Sequence, residues 1–271
     1  MHIPDSSIRD SSDGAHFAEL SGRLVGVAGL RSSIVFLHGL TFTRAMWDPV
    51  ISELLRLDPG LQILALDLPG HGHSAELPSY DLDLVVDRIA SAIQVAGLDT
   101  PILVGHSLSA IISTLYAARY PVHSVVNVDQ SLQTEGFARF LHSIRDGLRG
   151  PGFSQIWPQF AASMHADLLP ETMQRLLLES STPTQSLVLG YWREPLELPP
   201  EEIALWIASA LAAVRGNETP YLLVLGDEPE PDYSAWLLKV LPQAQIRVLP
   251  ASGHFPHLAH LQEFANLINA Q

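Results

Sequence analysis

The sequence predicts an α/β protein with a mostly parallel, doubly wound sheet and one all-helical lid insertion. Six short apolar runs are continuous rather than alternating, which is typical of strands buried on both faces. Helix-period segments separate most of these runs, and this alternation implies right-handed crossovers between parallel strands. Residues 131–216 interrupt the alternation with helical patterns alone.

The elements can be assigned in order along the chain. Residues 16–20 and 23–28 flank Ser21-Gly22 and predict an antiparallel hairpin at one edge of the sheet. The buried strands are predicted at residues 33–37, 62–66, 101–104, 124–128, 221–225 and 245–249. The helices that cover the sheet are predicted at residues 44–57, 82–97, 108–120, 233–241 and 257–270.

The helical interruption carries seven prolines, which divide it into short helices. An insertion that follows a strand end is expected to cover the carboxyl edge of the sheet, where open α/β folds bind ligands. We therefore expect a core of residues 1–130 and 216–271 and a helical lid, or cap, of residues 131–215.

Composition narrows the class of protein. The formal net charge is −14, and such a negative field repels polyanions, so nucleic acid is not an expected partner. The absence of cysteine excludes disulfides, thiolate metal ligands and a cysteine nucleophile. The sequence has no uninterrupted run of about 18 apolar residues, the length that would predict a membrane span, so no membrane partner is expected. The polar residues 1–14 lack a signal-peptide pattern, and we expect a cytoplasmic protein.

The strongest chemical signal is the segment Gly105-His106-Ser107-Leu108-Ser109, which lies between a strand pattern and a helix pattern. This arrangement is typical of a nucleophile elbow, a strained turn that projects the serine Oγ from the sheet. Small residues are needed at its ends because the strand and helix backbones nearly touch, and Ser109 stands where glycine is usual. The pattern predicts Ser107 as the nucleophile.

A serine hydroxyl attacks only when a base removes its proton. His254 follows the last predicted strand, so a loop at the carboxyl edge of the sheet could bring its imidazole to Ser107. The oxyanion of the reaction needs two backbone N–H donors, and we predict those of Leu40 and Leu108. Gly39 would let the chain pass close to the substrate.

The elbow segment and four others resemble the α/β-hydrolase superfamily, in its branch of lidded serine esterases and C–C hydrolases. The four others are His38-Gly39, Trp47, residues 67–74 (DLPGHGHS) and residues 253–257 (GHFPH). The resemblance covers about residues 22–130 and 219–271 and implies a Ser-His-acid triad with no cofactor.

The acid is where the chain departs from the superfamily pattern. The resemblance implies an aspartate three residues after the glycine that ends the penultimate strand, but Pro229 stands there. One alternative is Glu228 with shifted geometry. The other is Asp129, which follows the preceding strand, as in certain haloalkane dehalogenases, although relatives also carry an aspartate there that only caps a loop. We favour Asp129 and keep Glu228 as the alternative.

A metal site is the competing interpretation of the histidines at positions 71, 73, 254, 257 and 260. Apart from Asp67, no acidic residue accompanies them at ligand spacing, so no metal is predicted. Substrate contacts are instead expected from His38, Gly39, His106, Trp157 and Trp192.

The expected function is a serine hydrolase that cleaves a neutral, hydrophobic carboxylic ester, or a related thioester or lactone, through an acyl-enzyme. A serine rather than an aspartate at the elbow argues against epoxide hydrolase and dehalogenase chemistry. A cofactor-free lyase or dioxygenase, and a ligand-sensing protein, remain alternatives on the same fold. The expected partner is a small-molecule substrate, and the chain is expected to be a monomer or homodimer.

Overall fold

The computed structural model describes residues 14–27, 29 and 31–271. They contain an eight-stranded sheet with the strand order β1-β2-β4-β3-β5-β6-β7-β8. Its two edge pairings, β1–β2 and β2–β4, are antiparallel and the other five are parallel. The strands are β1 (Ala15–Phe17), β2 (Leu20–Val25), β3 (Ile34–Leu37), β4 (Ile63–Leu66), β5 (Ile102–His106), β6 (Ser124–Val128), β7 (Tyr221–Leu225) and β8 (Ala244–Val248).

The sheet confirms the predicted fold class, and the hairpin is present with a different turn. The chain reverses at Ala18-Glu19, where Ala18 takes a φ of 52°. Ser21 and Gly22 instead lie in β2 and pair with β1. The Ser21-Gly22 pair, from which the turn was predicted, is therefore part of a strand. The last residue of the predicted hairpin, at position 28, and the polar residues 1–13 lie outside the described residues.

Helices cover both faces of the sheet because the side chains of its strands alternate between two cores. Val35 and Leu37 of β3 join one apolar cluster, and Ile34 and Phe36 join the other. The covering helices are α1 (Asp48–Leu57), α2 (Leu82–Val95), α3 (Leu108–Arg119), α10 (Pro231–Val240), α11 (Pro256–Ala259) and α12 (Leu261–Asn269). The predicted first helix begins with a 3₁₀ turn, Arg44–Trp47, and the predicted last helix is broken at His260.

Six α-helices and a 3₁₀ turn, but no strand, lie between β6 and β7, a segment that the structure describes throughout. They are α4 (Glu135–Arg149), α5 (Phe153–Ala162), α6 (Glu171–Glu179), α7 (Gln185–Tyr191), α8 (Arg193–Glu197) and α9 (Pro200–Gly216). Pro170 and Pro199 mark helix starts, whereas Pro158 lies inside α5. Helix α9 packs along α3. Among the described residues, no helix has the length and apolar character to cross a membrane.

Candidate active site

Ser107 occupies the turn between β5 and α3. Its φ of 55° and ψ of −129° are a strained combination for a residue with a side chain. Its N–H donates to the carbonyl of Val128 at 2.9 Å, and its own carbonyl accepts from Ala110 at 2.8 Å. The turn is therefore held by the neighbouring strand and by the first turn of the helix, which is the local geometry of a nucleophile elbow.

Gly105 shows how closely strand and helix approach at this turn. A Cβ at this position would overlap the carbonyl oxygen of Ser109 and lie 2.6 Å from the Oγ of Ser113. Ser109 fills the place where glycine is usual, and its buried Oγ donates to the carbonyl of His38. Sequence reasoning treated Ser109 only as a small residue and missed this bond.

We expect Gly105→Ala to lower the free energy of unfolding by about 3 kcal/mol, because the added methyl cannot fit without moving the backbone of α3. Urea denaturation measures the change. Gly136→Ala is the matched control, since no heavy atom lies within 4 Å of a Cβ there. Gly136 lies in the first turn of α4, so this control should change the free energy of unfolding by less than about 1 kcal/mol. Equal effects of the two changes would contradict the expectation.

Asp129 and His254 form a direct pair across 125 residues of sequence. The Nδ1 of His254 donates to the Oδ2 of Asp129 at 2.7 Å, and the other carboxylate oxygen accepts from the N–H of Gly226 at 2.8 Å. Asp129 directly follows β6 with a φ of 57°, and its N–H donates to Val224 in β7 at 2.8 Å. Of the two carboxylates left open by the sequence, Asp129 contacts the imidazole, whereas Glu228 is exposed.

The loop that carries His254, residues 250–255, also contacts the helical insertion. The backbone N–H of His254 donates to the carbonyl of Met164 at 2.9 Å. A Cβ on Gly253 would lie 2.7 Å from the Cβ of His165 and 2.8 Å from the Met164 carbonyl, so only glycine fits against this turn. No sequence pattern predicted this contact, because it depends on how the insertion folds over the sheet.

Ser107, Asp129 and His254 all line one cavity of about 410 Å³. Leu40 and Leu108, the predicted oxyanion donors, line it as well. Helices between β6 and β7 cover it with aromatic side chains, among them Phe137, Trp157, Phe160, Trp192 and Trp206. The structure thus brings the predicted nucleophile, base, acid and oxyanion donors to one apolar enclosure.

The aromatic side chains pack on one another around the cavity. The ring of Trp192 lies edge-on to Phe160 at 5.1 Å and to Phe137 at 5.5 Å, and it lies 5.8 Å from Trp157. Such edge-to-face pairs stabilise a rigid wall. Of the five expected substrate contacts, Trp157 and Trp192 line the cavity.

The other three expected contacts need correction. His38 and His106 are fully buried, and neither they nor Gly39 lie in the cavity lining. Both ring nitrogens of His38 form hydrogen bonds to the backbone. Its Nε2 accepts from the N–H of Leu68 at 2.9 Å, and its Nδ1 donates to the carbonyl of Gly39 at 2.8 Å. These residues therefore lie behind the cavity wall.

His71 plays a similar supporting part beside the oxyanion loop, which we define as residues 38–42. Its Nε2 accepts from the N–H of Thr41 at 3.0 Å, and its Nδ1 donates to Pro69 at 3.0 Å. Thr41 has a φ of 70°, so these bonds hold the turn that follows Leu40. Burial lowers the pKa of His38 to about 4 and that of His71 to about 3, so both imidazoles are neutral at pH 7.

Asp67 joins the same support. Its buried carboxylate pairs with the Arg44 guanidinium and accepts from the backbone N–H of Arg44 at 2.8 Å. The carboxylate leaves no room for a side chain at Gly72. The segment 67–74 therefore anchors the chain around the oxyanion loop.

The structure also bears on the metal interpretation of the histidines. Within the described residues, no group of three or more His, Asp or Glu side chains is arranged to hold a metal ion.

Known proteins resemble this chain in sequence. The chain is 26% identical over 253 residues to a pimeloyl-[acyl-carrier protein] methyl ester esterase of Neisseria meningitidis serogroup C, covering 86% of this chain and 91% of that protein.

Two solved structures share its fold. One is E-2-(acetamidomethylene)succinate hydrolase, with a TM-score of 0.68, 22% identity and coverage of 93% of this chain and 94% of that one. The other is a loop variant of haloalkane dehalogenase DbeA from Bradyrhizobium elkanii, with a TM-score of 0.69, 20% identity and coverage of 93% and 91%. A family model described as "Alpha/beta hydrolase family" matches residues 34–267. Because that match spans most of the sequence, the chain belongs to the alpha/beta hydrolase family.

Proposed function

We propose that this protein is a serine hydrolase that cleaves a neutral, hydrophobic carboxylic ester of small-molecule size through an acyl-enzyme on Ser107. The observation that carries the proposal is the 2.7 Å bond between His254 Nδ1 and Asp129, formed at the wall of the cavity that Ser107 also lines. The esterase name of the Neisseria relative agrees with this class of reaction.

The reaction follows from the protonation state of His254. Because Nδ1 donates its proton to Asp129, the Nε2 carries a lone pair and accepts the proton of the Ser107 hydroxyl during attack on the ester carbon. The N–H groups of Leu40 and Leu108 stabilise the oxyanion. The intermediate collapses as His254 returns the proton to the departing alcohol. Water then attacks the acyl group in the same way and releases the carboxylic acid and free Ser107.

The cavity lining favours a neutral substrate. It is mostly apolar, and its described residues include the carboxylates of Asp129 and Asp227 but no arginine or lysine. A substrate carboxylate would therefore lose its hydration without gaining a cationic partner. We expect the methyl ester of a monocarboxylic acid, which is uncharged, to be a better substrate than the monomethyl ester of a dicarboxylic acid of equal length, which keeps a free carboxylate.

The same proposal assigns residues 131–215 to a lid over a core of residues 1–130 and 216–271. It places the enzyme in the cytoplasm as a monomer or homodimer. Every step described above uses protein groups and water alone.

Rapid mixing with p-nitrophenyl butyrate tests the acyl-enzyme. The wild type should release a burst of p-nitrophenol equal to the enzyme concentration, and mass spectrometry should find the butyryl group on the peptide that contains Ser107. Ser107→Ala should show neither signal. Ser91→Ala, an exposed position on α2, is the control and should behave as the wild type.

A folded wild type without burst or adduct would contradict the proposal. That result would favour a lyase, a dioxygenase or a ligand-sensing protein on this fold.

A further inference from the structure

We infer that His106 is a positioning residue, whose buried ring connects the nucleophile elbow, the oxyanion loop and the loop of His254. The inference rests on the proposed function, because it assigns His106 a part in aligning Ser107, Leu40 and His254 for that reaction. It adds a residue that acts through others and touches no substrate.

The first contact is with the backbone of His254. The Nε2 of His106 lies 2.8 Å from the carbonyl oxygen of His254. A carbonyl can only accept, so this nitrogen carries the proton and donates it. The two rings lie 4.6 Å apart.

His254 is consequently held at three of its atoms by three separate segments. Its carbonyl is bound by His106, its N–H by the carbonyl of Met164, and its Nδ1 by Asp129. The Nε2 is the atom left for Ser107. Since a displacement of about 1 Å of a reacting group can cost about 100-fold in rate, each of these anchors matters for catalysis.

The second contact is with the oxyanion loop. A Cβ on Gly39 would lie 2.6 Å from the Nδ1 of His106 and 3.3 Å from the Cβ of Ser107. The Gly39 backbone thus rests directly on the imidazole, one residue before the proposed oxyanion donor Leu40. A shift of the ring would move this loop and the His254 loop together.

The third link is through the chain itself. His106 is the last residue of β5, directly before Ser107, and it pairs in register with Val128, the residue before Asp129. The His106 side chain therefore connects the segments that carry the nucleophile, the base and the oxyanion donor. It does so at the end of the β5–β6 pair, where Asp129 also lies.

Packing alone does not account for a histidine at this position. The ring is fully buried, and its Nδ1 has no hydrogen-bond partner among the described residues. An unpaired buried nitrogen costs about 1–3 kcal/mol, which an apolar side chain of similar size would avoid. Burial also lowers the pKa of His106, so the ring stays neutral and carries its single proton on the Nε2 that donates to His254. The bond to His254 is what an apolar residue could not supply.

The test compares His106→Met, His106→Asn and His106→Gln with a matched control. Only glutamine can place an amide N–H where Nε2 lies, whereas asparagine is too short and methionine has no donor. The control is His257→Leu, because His257 is equally buried, lies 4.9 Å from the ring of His106 and has no hydrogen-bond partner on either nitrogen in the described structure.

With p-nitrophenyl butyrate, we expect His106→Met and His106→Asn to lower kcat about 30-fold with KM within about twofold. His106→Gln should stay within about fivefold of the wild type, and His257→Leu within about twofold. The proton NMR signal of His254 Nδ1–H should broaden in the methionine and asparagine variants only.

Unchanged kcat in His106→Met and His106→Asn would overturn the inference. So would a glutamine variant as impaired as the asparagine variant, or an equal loss in His257→Leu, which would indicate a general packing effect. If the methionine variant does not fold, the comparison of glutamine with asparagine decides. A wild type without acyl adduct is a separate result, since it refutes the proposed function before any His106 variant is measured.

Discussion

Asp129→Asn is expected to lower kcat by about 10⁴. The asparagine oxygen can still accept from the N–H of Gly226, which presents the amide –NH₂ to His254 in place of a carboxylate oxygen. His254 must then turn its Nδ1 lone pair toward this donor, and its proton moves to Nε2, the wrong atom for accepting from Ser107. The carboxylate that stabilises the imidazolium is lost in the same change.

Steady-state kinetics with p-nitrophenyl butyrate measures this effect, and circular dichroism checks that the variant is folded. Glu228→Gln is the matched control, because Glu228 is exposed and lies outside the cavity lining. Its kcat should remain within about twofold of the wild type. A large loss in Glu228→Gln, or a folded Asp129→Asn enzyme with nearly full activity, would refute Asp129 as the acid.

The free energy of unfolding is expected to fall steeply as the pH drops below 6.5, by about 5 kcal/mol per pH unit near pH 5. Four described histidines are buried, namely His38, His71, His106 and His257. Burial lowers the pKa to about 4 for His38 and to about 3 for His71 and His257, and it lowers that of His106 as well. These rings are neutral in the native state but protonated in the unfolded chain.

The sign follows from the number of protons that each state binds. Below the ordinary pKa of 6.5 the unfolded chain binds up to four more protons than the native state, so stability is lost as the pH falls and is recovered above 6.5. At pH 5 the unfolded chain binds slightly fewer than four additional protons, because His38 is already protonated in a small fraction of native molecules, and at about 1.4 kcal/mol per proton and pH unit the slope is about 5 kcal/mol.

Urea denaturation between pH 7 and 5, together with proton uptake on unfolding at pH 5, measures this effect. His257→Leu should reduce the uptake by about one proton and the slope by about a quarter. Uptake near zero in the wild type would contradict the expectation.

Local patterns were sufficient where neighbouring residues decide the outcome. Continuous apolar runs located β3 to β7 because burial on both faces leaves a period-free signature in the sequence, whereas the edge strand β8 alternates between exposed and more buried residues. The elbow at Ser107 was predicted because such a turn needs small residues at fixed offsets between a strand and a helix. The position of the hairpin turn was missed, since Ser21-Gly22 is as compatible with a turn as Ala18-Glu19 and only pairing with β4 selects the register.

By itself, the sequence determined the fold class and pointed to Ser107 as nucleophile and to the loop of His254 as the source of the base, because each depends on interactions within a few residues. Tertiary structure decided which carboxylate meets His254, because that depends on the β6–β7 pairing that brings Asp129 to Gly226. It also moved His38 and His106 from the expected substrate surface to the interior, where their nitrogens bind backbone groups of distant loops. Contacts across more than a hundred residues are set by strand order and packing, and no local period reports them.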